Sequence, residues 1–106
     1  MNESTPGPMM NQYLFEIALP EDITEEFIAL IPHQRAHIDT LMVKGIVTSY
    51  SLAIDRSRLW VTLLAHSEED AAKTLETFPM HKFFDARMFP LAFHNMTFSL
   101  AKVSLN

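Results

Sequence analysis

The stretch Leu75–Phe93, LETFPMHKFFDARMFPLAF, decides how this chain reads. Pro79 has no backbone N–H and crowds the turn before it, so a helix carrying Leu75 and Phe78 must stop there. A short aromatic turn follows, and Ala86 to Phe93 reads as a strand entered without a glycine. A helix, a tight turn and a strand in that order require a sheet for the strand to join, so strands are expected upstream.

Working back from Pro79, Ser67 has the residue type of a helix N-cap. Glu68, Glu69 and Asp70 load the first turn with the charge its dipole favours, and Ala71, Ala72, Leu75 and Phe78 supply an apolar face. Further upstream, Ile46–Ile54 and Leu59–Ala65 read as two strands joined by a turn at Asp55, Arg56 and Ser57. Before them a first helix is expected to open on a capping box of Asp22 and Glu25. Its apolar stripe is Ile23, Phe27, Leu30, Ile31, Ile38, Leu41 and Met42, closed by Lys44 and the C′ glycine Gly45. Pro32 lies inside it and predicts a kink or break near Ile31. Gln12–Leu19 alternates, with Tyr13, Phe15, Ile17 and Leu19 on one face and Leu14, Glu16 and Ala18 on the other, and Pro20 ends this first strand. Met96–Leu105 reads as a further strand or as an arm packing on a neighbour.

The order β-α-β-β-α-β is that of an α+β ferredoxin-like sandwich, with both helices on one face of an antiparallel sheet. The third strand is apolar on both sides, with Trp60 and Leu64 opposite Leu59, Val61 and Leu63. One layer of helices cannot cover both sides, so a second sheet is the simplest cover for the other. Two chains packed sheet to sheet would form a dimeric α/β barrel, and a homodimer or higher homo-oligomer is the expected assembly.

Composition sets the outer bounds. The 106 residues suit one domain, expected over 12–106, with 1–11 as a flexible N-terminal tail kept from helix by Pro6, Gly7 and Pro8. Hydrophobic residues are 48% and charged residues 20%, enough to bury a core. The net charge of −5, with Lys44, Arg56, Arg58, Lys73 and Lys82 scattered among acids, argues against a nucleic-acid partner. The chain has no cysteine, which excludes disulfides, thiolate metal sites and thiol nucleophiles. No stretch approaches the roughly 18 apolar residues of a membrane span, and the start lacks a basic, then apolar leader. A cytoplasmic protein without membrane contact is expected. Two glycines leave no Gly-rich phosphate loop.

From about Tyr13 to His94 the chain resembles the muconolactone Δ-isomerase-like family of small dimeric α/β-barrel proteins. The resemblance rests on YLF in the first strand, Leu19-Pro20 before the first helix, Gly45 at the proper distance, and Phe78, Pro79 and Met80 paired with Phe84 and Asp85 before the last strand. It implies the dimeric barrel fold and, by extension, proton-transfer isomerisation of a small lactone or organic acid, with no cofactor. The family's helix-one lysines and glutamates, and its second-strand arginine, histidine and tryptophan, are replaced here by Pro32–His37 (PHQRAH) and by Thr48, Ser49, Tyr50 and Ser51. The fold therefore does not bring the reaction with it.

Such a reaction needs a base beside a carbonyl, a group to return the proton, and a donor for the oxyanion. Glu16 is the candidate base, an acid among apolar neighbours on the strand face that lines the barrel; the plainer reading is an edge carboxylate or an ion-pair partner of Arg87. His33 and His37, four apart on one helical face, are the candidate acid–base partners. Their spacing also suits a metal, but no third ligand is fixed and no metal is expected; a solvated or dimer-contact pair is the plainer reading. Arg35, Tyr50 and Arg87 are candidates for holding an anionic end of the substrate. Trp60, with Phe83, Phe84 and Phe89, is a candidate aromatic wall that core packing also explains. Two other functions compete with the isomerase reading: a noncatalytic dimeric small-molecule-binding module, and a cofactor-free monooxygenase on the same scaffold.

Overall fold

A computed structural model describes residues 10–95. Its order is β1 (Asn11–Ala18), α1 (Glu25–Val43), β2 (Val47–Leu52), β3 (Arg58–Ala65), α2 (Glu68–Glu76) and β4 (Asp85–Leu91), with a 3-10 turn at His81–Phe83 between α2 and β4. The strands form one antiparallel sheet in the order β2-β3-β1-β4, as a ferredoxin-like sandwich requires. The expected segment Met96–Leu105 lies outside the described residues.

The sheet has two distinct faces, set by the period-two alternation of its strands. Tyr13, Phe15 and Ile17 pair across β1 and β3 with Leu63, Val61 and Leu59, and all six are buried beneath the helices. Ile38 and Leu41 of α1 and Ala71 and Leu75 of α2 complete this core. The opposite face carries Leu14, Glu16, Trp60, Leu64, Arg87 and Phe89, since each pairs in register on that side.

A β-bulge breaks this parity in β2. Val47 opposes Leu63, but Ser49 then opposes Thr62, so Thr48 is an extra residue. Without it, Tyr50 would sit opposite Trp60 on the open face. With it, Tyr50 opposes Val61 and Leu52 opposes Leu59, and both turn towards α1. The hydroxyls of Thr48 and Thr62 lie 2.7 Å apart, and Ser49 also bonds to Thr62, so side-chain hydrogen bonds hold the bulge.

The helix ends follow local chemistry, with one correction. The N-cap of α1 is Thr24, not Asp22: the Thr24 hydroxyl accepts from the Phe27 N–H at 3.1 Å, and Glu25 and Glu26 then occupy the first turn. Of the kink or break expected near Ile31, the break does not occur: α1 runs as one helix through Pro32. Pro32 and Ile28 are both exposed, so the Ile28 carbonyl left without its i+4 donor faces water. Gly45, at φ 75°, closes α1 in a Schellman arrangement, the Ile46 N–H bonding the Leu41 carbonyl at 2.9 Å and the Gly45 N–H that of Met42 at 3.0 Å. Ser67 caps α2 as expected, accepting from the Asp70 N–H at 3.1 Å.

A Cβ at Gly45 would have no atom within 4 Å, so the cost of a side chain there is one of backbone conformation alone. Gly45→Ala should therefore lower unfolding free energy by about 1 kcal/mol, with Gly45→Asn closer to wild type. Urea denaturation of the three proteins measures this; equal midpoints would mean that the left-handed cap carries no strain.

Candidate functional site

Between α1 and the sheet lies a cavity of about 550 Å³. Its floor is Leu59 of β3, with Tyr50 and Leu52 of β2, the two residues that the bulge redirects. Its roof is the first half of α1: Phe27, Ile31, Gln34 and Arg35. Met80 and Phe84, from the turn after α2, close one wall. Arg56 reaches it from the β2–β3 turn, where its φ of 63° is left-handed. A smaller cavity of about 380 Å³ adjoins along α1, lined by Arg35, Ile38, Asp39, Met42 and Tyr50, so Arg35 and Tyr50 stand between the two.

The wall at Met80 and Phe84 is held to α1 by three side-chain contacts. Phe27 meets Phe83 edge to face at 5.2 Å between centroids, Lys82 pairs with Glu26, and the Met80 N–H donates to the Gln34 side-chain oxygen at 3.1 Å. Gln34 is only 3% exposed. Its Nε2 is buried and has no hydrogen-bond partner among the described residues. The orientation is chemically fixed, because the Met80 N–H needs an oxygen opposite it. Sequence reasoning missed Gln34, although its spacing held the signal: Phe27, Ile31, Gln34, Ile38 and Leu41 form one helical stripe, and a glutamine within it requires a partner.

The structure does not bring the expected site residues together. Arg35 and Tyr50 line the cavity, whereas Glu16, Trp60 and Arg87 lie across the sheet on its open face. Glu16 accepts from Arg58 at 2.8 Å, so the ion-pair partner is Arg58 in place of the expected Arg87. The reason is register: Arg58 stands opposite Ala18, diagonal to Glu16 on the same face, while Arg87 packs its guanidinium 5.4 Å from the Phe89 ring. His33 is exposed on the outer side of α1. His37 bonds the Thr77 hydroxyl at 2.8 Å and meets Phe78 edge-on at 5.7 Å, which ties α1 to the end of α2. The expected aromatic wall is divided: Phe84 lines the cavity, Phe83 packs on Phe27, and Trp60 and Phe89 face the other way.

Family models and curated proteins give no match to this chain. Among solved structures it is similar to MtbAldR (Rv2779c), at 12% identity over 93% of this chain and 64% of that one, with a TM-score of 0.54. The chain thus spans less than two thirds of MtbAldR, and the likeness is one of fold. A protein described as a candidate antibiotic biosynthesis monooxygenase from Nitrosomonas europaea aligns at 14% identity over 77% of this chain and 86% of that one, with a TM-score of 0.47. No helix among the described residues is long and apolar enough to cross a membrane.

The turn that carries Arg56 has its own charge control. Asp55 accepts from the Ser57 hydroxyl at 2.7 Å and the Ser57 N–H at 3.0 Å, and these bonds hold its carboxyl below the ordinary aspartate value. A depressed folded-state value means that the turn's stabilisation is complete above the unfolded value and lost as pH falls through the folded one. The Ser57 amide proton should therefore titrate in NMR with a midpoint below the ordinary aspartate value of about 3.9. A midpoint at or above that value would show that the turn bonds are not kept in solution.

Proposed function

We propose that this protein is a binding module for a small, mostly apolar ligand held between α1 and the sheet. The observation that carries this reading is the chemistry of the cavity wall among the described residues: hydrocarbon and aromatic surface, two guanidinium groups, a phenol and an amide, with no carboxylate or imidazole. Such a wall encloses and orients a ligand, as apolar sites with a few placed polar groups do. Proton-transfer isomerisation would need a base beside the bound carbon acid. The candidate base, Glu16, is paired with Arg58 across the sheet. The resemblance to muconolactone isomerases thus supports the scaffold more than the reaction.

Anilinonaphthalene sulfonate fluorescence tests the binding reading. Saturable enhancement at one dye per chain, displaced by decanoic acid, is expected, and Ile31→Trp should abolish it by filling the cavity while the helical circular dichroism is unchanged. Absence of saturable binding by the wild-type protein would overturn the reading.

The partner we propose for the open sheet face is a second copy of the chain. Leu14, Trp60, Leu64 and Phe89 share that face, and both helices lie on the other. Sheets pack face to face at roughly 10 Å, and a two-fold axis lets the same patch cover itself. Light scattering at micromolar concentration should give at least two chains per particle, and Leu64→Asp should reduce it to one. A well-folded wild-type monomer would refute the assembly.

A further inference from the structure

We propose that Arg56 is the specificity-determining residue of the cavity and that the ligand is an amphipathic carboxylic acid. Its hydrocarbon body lies among Phe27, Ile31, Leu59, Met80 and Phe84, and its carboxylate pairs with the Arg56 guanidinium at the solvent edge. The inference rests on the binding reading above and adds the ligand's charge to it.

The backbone of Arg56 carries the argument. Its φ of 63° is left-handed, a region in which a Cβ crowds the neighbouring carbonyl and glycine is favoured. Gly45 is the other residue with positive φ among the described residues, and there the chain does use glycine, with no atom within 4 Å of a Cβ placed on it. The β2–β3 turn instead keeps an arginine against its backbone preference. Hydrogen bonds hold it there: the Arg56 N–H donates to the Ala53 carbonyl and the Ala53 N–H to the Arg58 carbonyl, both at 2.9 Å. The Leu19 N–H, just beyond β1, donates to the Ser57 carbonyl at 3.0 Å. Strain that the surrounding structure over-determines is characteristic of ligand sites, and this side chain lines the cavity.

The charge at that position can serve a ligand. Arg56 is exposed and belongs to no ion pair among the described residues. The acid beside it, Asp55, is engaged by the hydroxyl and the N–H of Ser57. Arg35, the other guanidinium of the wall, stands one helical turn before Asp39, an acid that lines the adjoining cavity with it, so its field is partly offset. A guanidinium at a solvent-exposed edge takes a carboxylate in its planar fork without the penalty of burying the charge. The rest of the wall is mostly apolar and suits a hydrocarbon body. A volume of about 550 Å³ falls within the ~300–1,000 Å³ of small-molecule pockets, so a medium-chain acid is accommodated.

Titration calorimetry near neutral pH with decanoate and decanol tests the assignment, because the two share a chain and differ in charge. The wild-type protein should bind decanoate about fivefold more tightly than decanol, the upper end for a partly exposed ion pair. In Arg56→Gly that ratio should fall towards one. The urea midpoint of the same variant should exceed that of the wild type, because glycine suits the left-handed backbone. Arg35→Gln should lower the ratio less than Arg56→Gly does.

An arginine that serves only the turn would give the opposite pair of results: an unchanged ratio, and a midpoint no higher than that of the wild type. Either result overturns the proposal, as does a larger effect of Arg35→Gln or a wild-type ratio near one. The binding reading survives all of these. If neither probe binds the wild-type protein saturably, that reading and the proposal fall together.

Discussion

The hydrogen bond from the Met80 N–H to the Gln34 side chain is the constraint on which the cavity depends. It joins residues 46 apart in sequence and lies in the buried interior, where no water competes for either partner. Without it, the turn after α2 would present an unpaired N–H to an apolar wall, at a cost of about 1–3 kcal/mol. With it, Met80 and Phe84 are fixed beneath α1, and the space between helix and sheet has a closed side. The same planar amide fixes its own nitrogen in the buried interior.

A second constraint sorts the chemistry between the two faces of the sheet. Strand alternation alone would send Tyr50 to the open face beside Trp60, and the extra residue at Thr48 sends it to the cavity. The result is a division of labour between faces. The open face carries the Glu16–Arg58 ion pair, the Arg87–Phe89 contact and a cluster of half-buried apolar side chains. The helix side carries Arg35, Tyr50, Arg56 and Gln34 around hydrocarbon. Groups that look close in an inventory of candidate residues are thus separated by the thickness of the sheet.

The fold was legible because it is written in local signals. Alternation in β1, the N-cap at Ser67, the glycine at Gly45 and the stop before Pro79 each act within a few residues, and together they leave one order of elements. The helix start was misread by two residues, since Asp22 and Thr24 are both competent caps and only geometry chooses between them. That Pro32 does not break α1 has a reason that sequence hides: whether a lost hydrogen bond matters depends on which side of the helix faces water. The site was less legible still. Residue type singles out Arg35 and Tyr50, but the separation of Tyr50 from Glu16 follows from a bulge that no turn residue announces, and Gln34 shows itself only by its place in an apolar stripe.

Fold likeness adds little to that account, because the scaffold supports more than one use and the discriminating atoms are side chains. The wall chemistry discriminates more. Arginine remains charged across the ordinary pH range and an amide does not titrate, so neither group type supplies a proton switch near neutrality. A pocket that exchanges protons with its ligand needs a group poised to change charge there. Any pH dependence of binding from these contacts must then originate in the ligand itself.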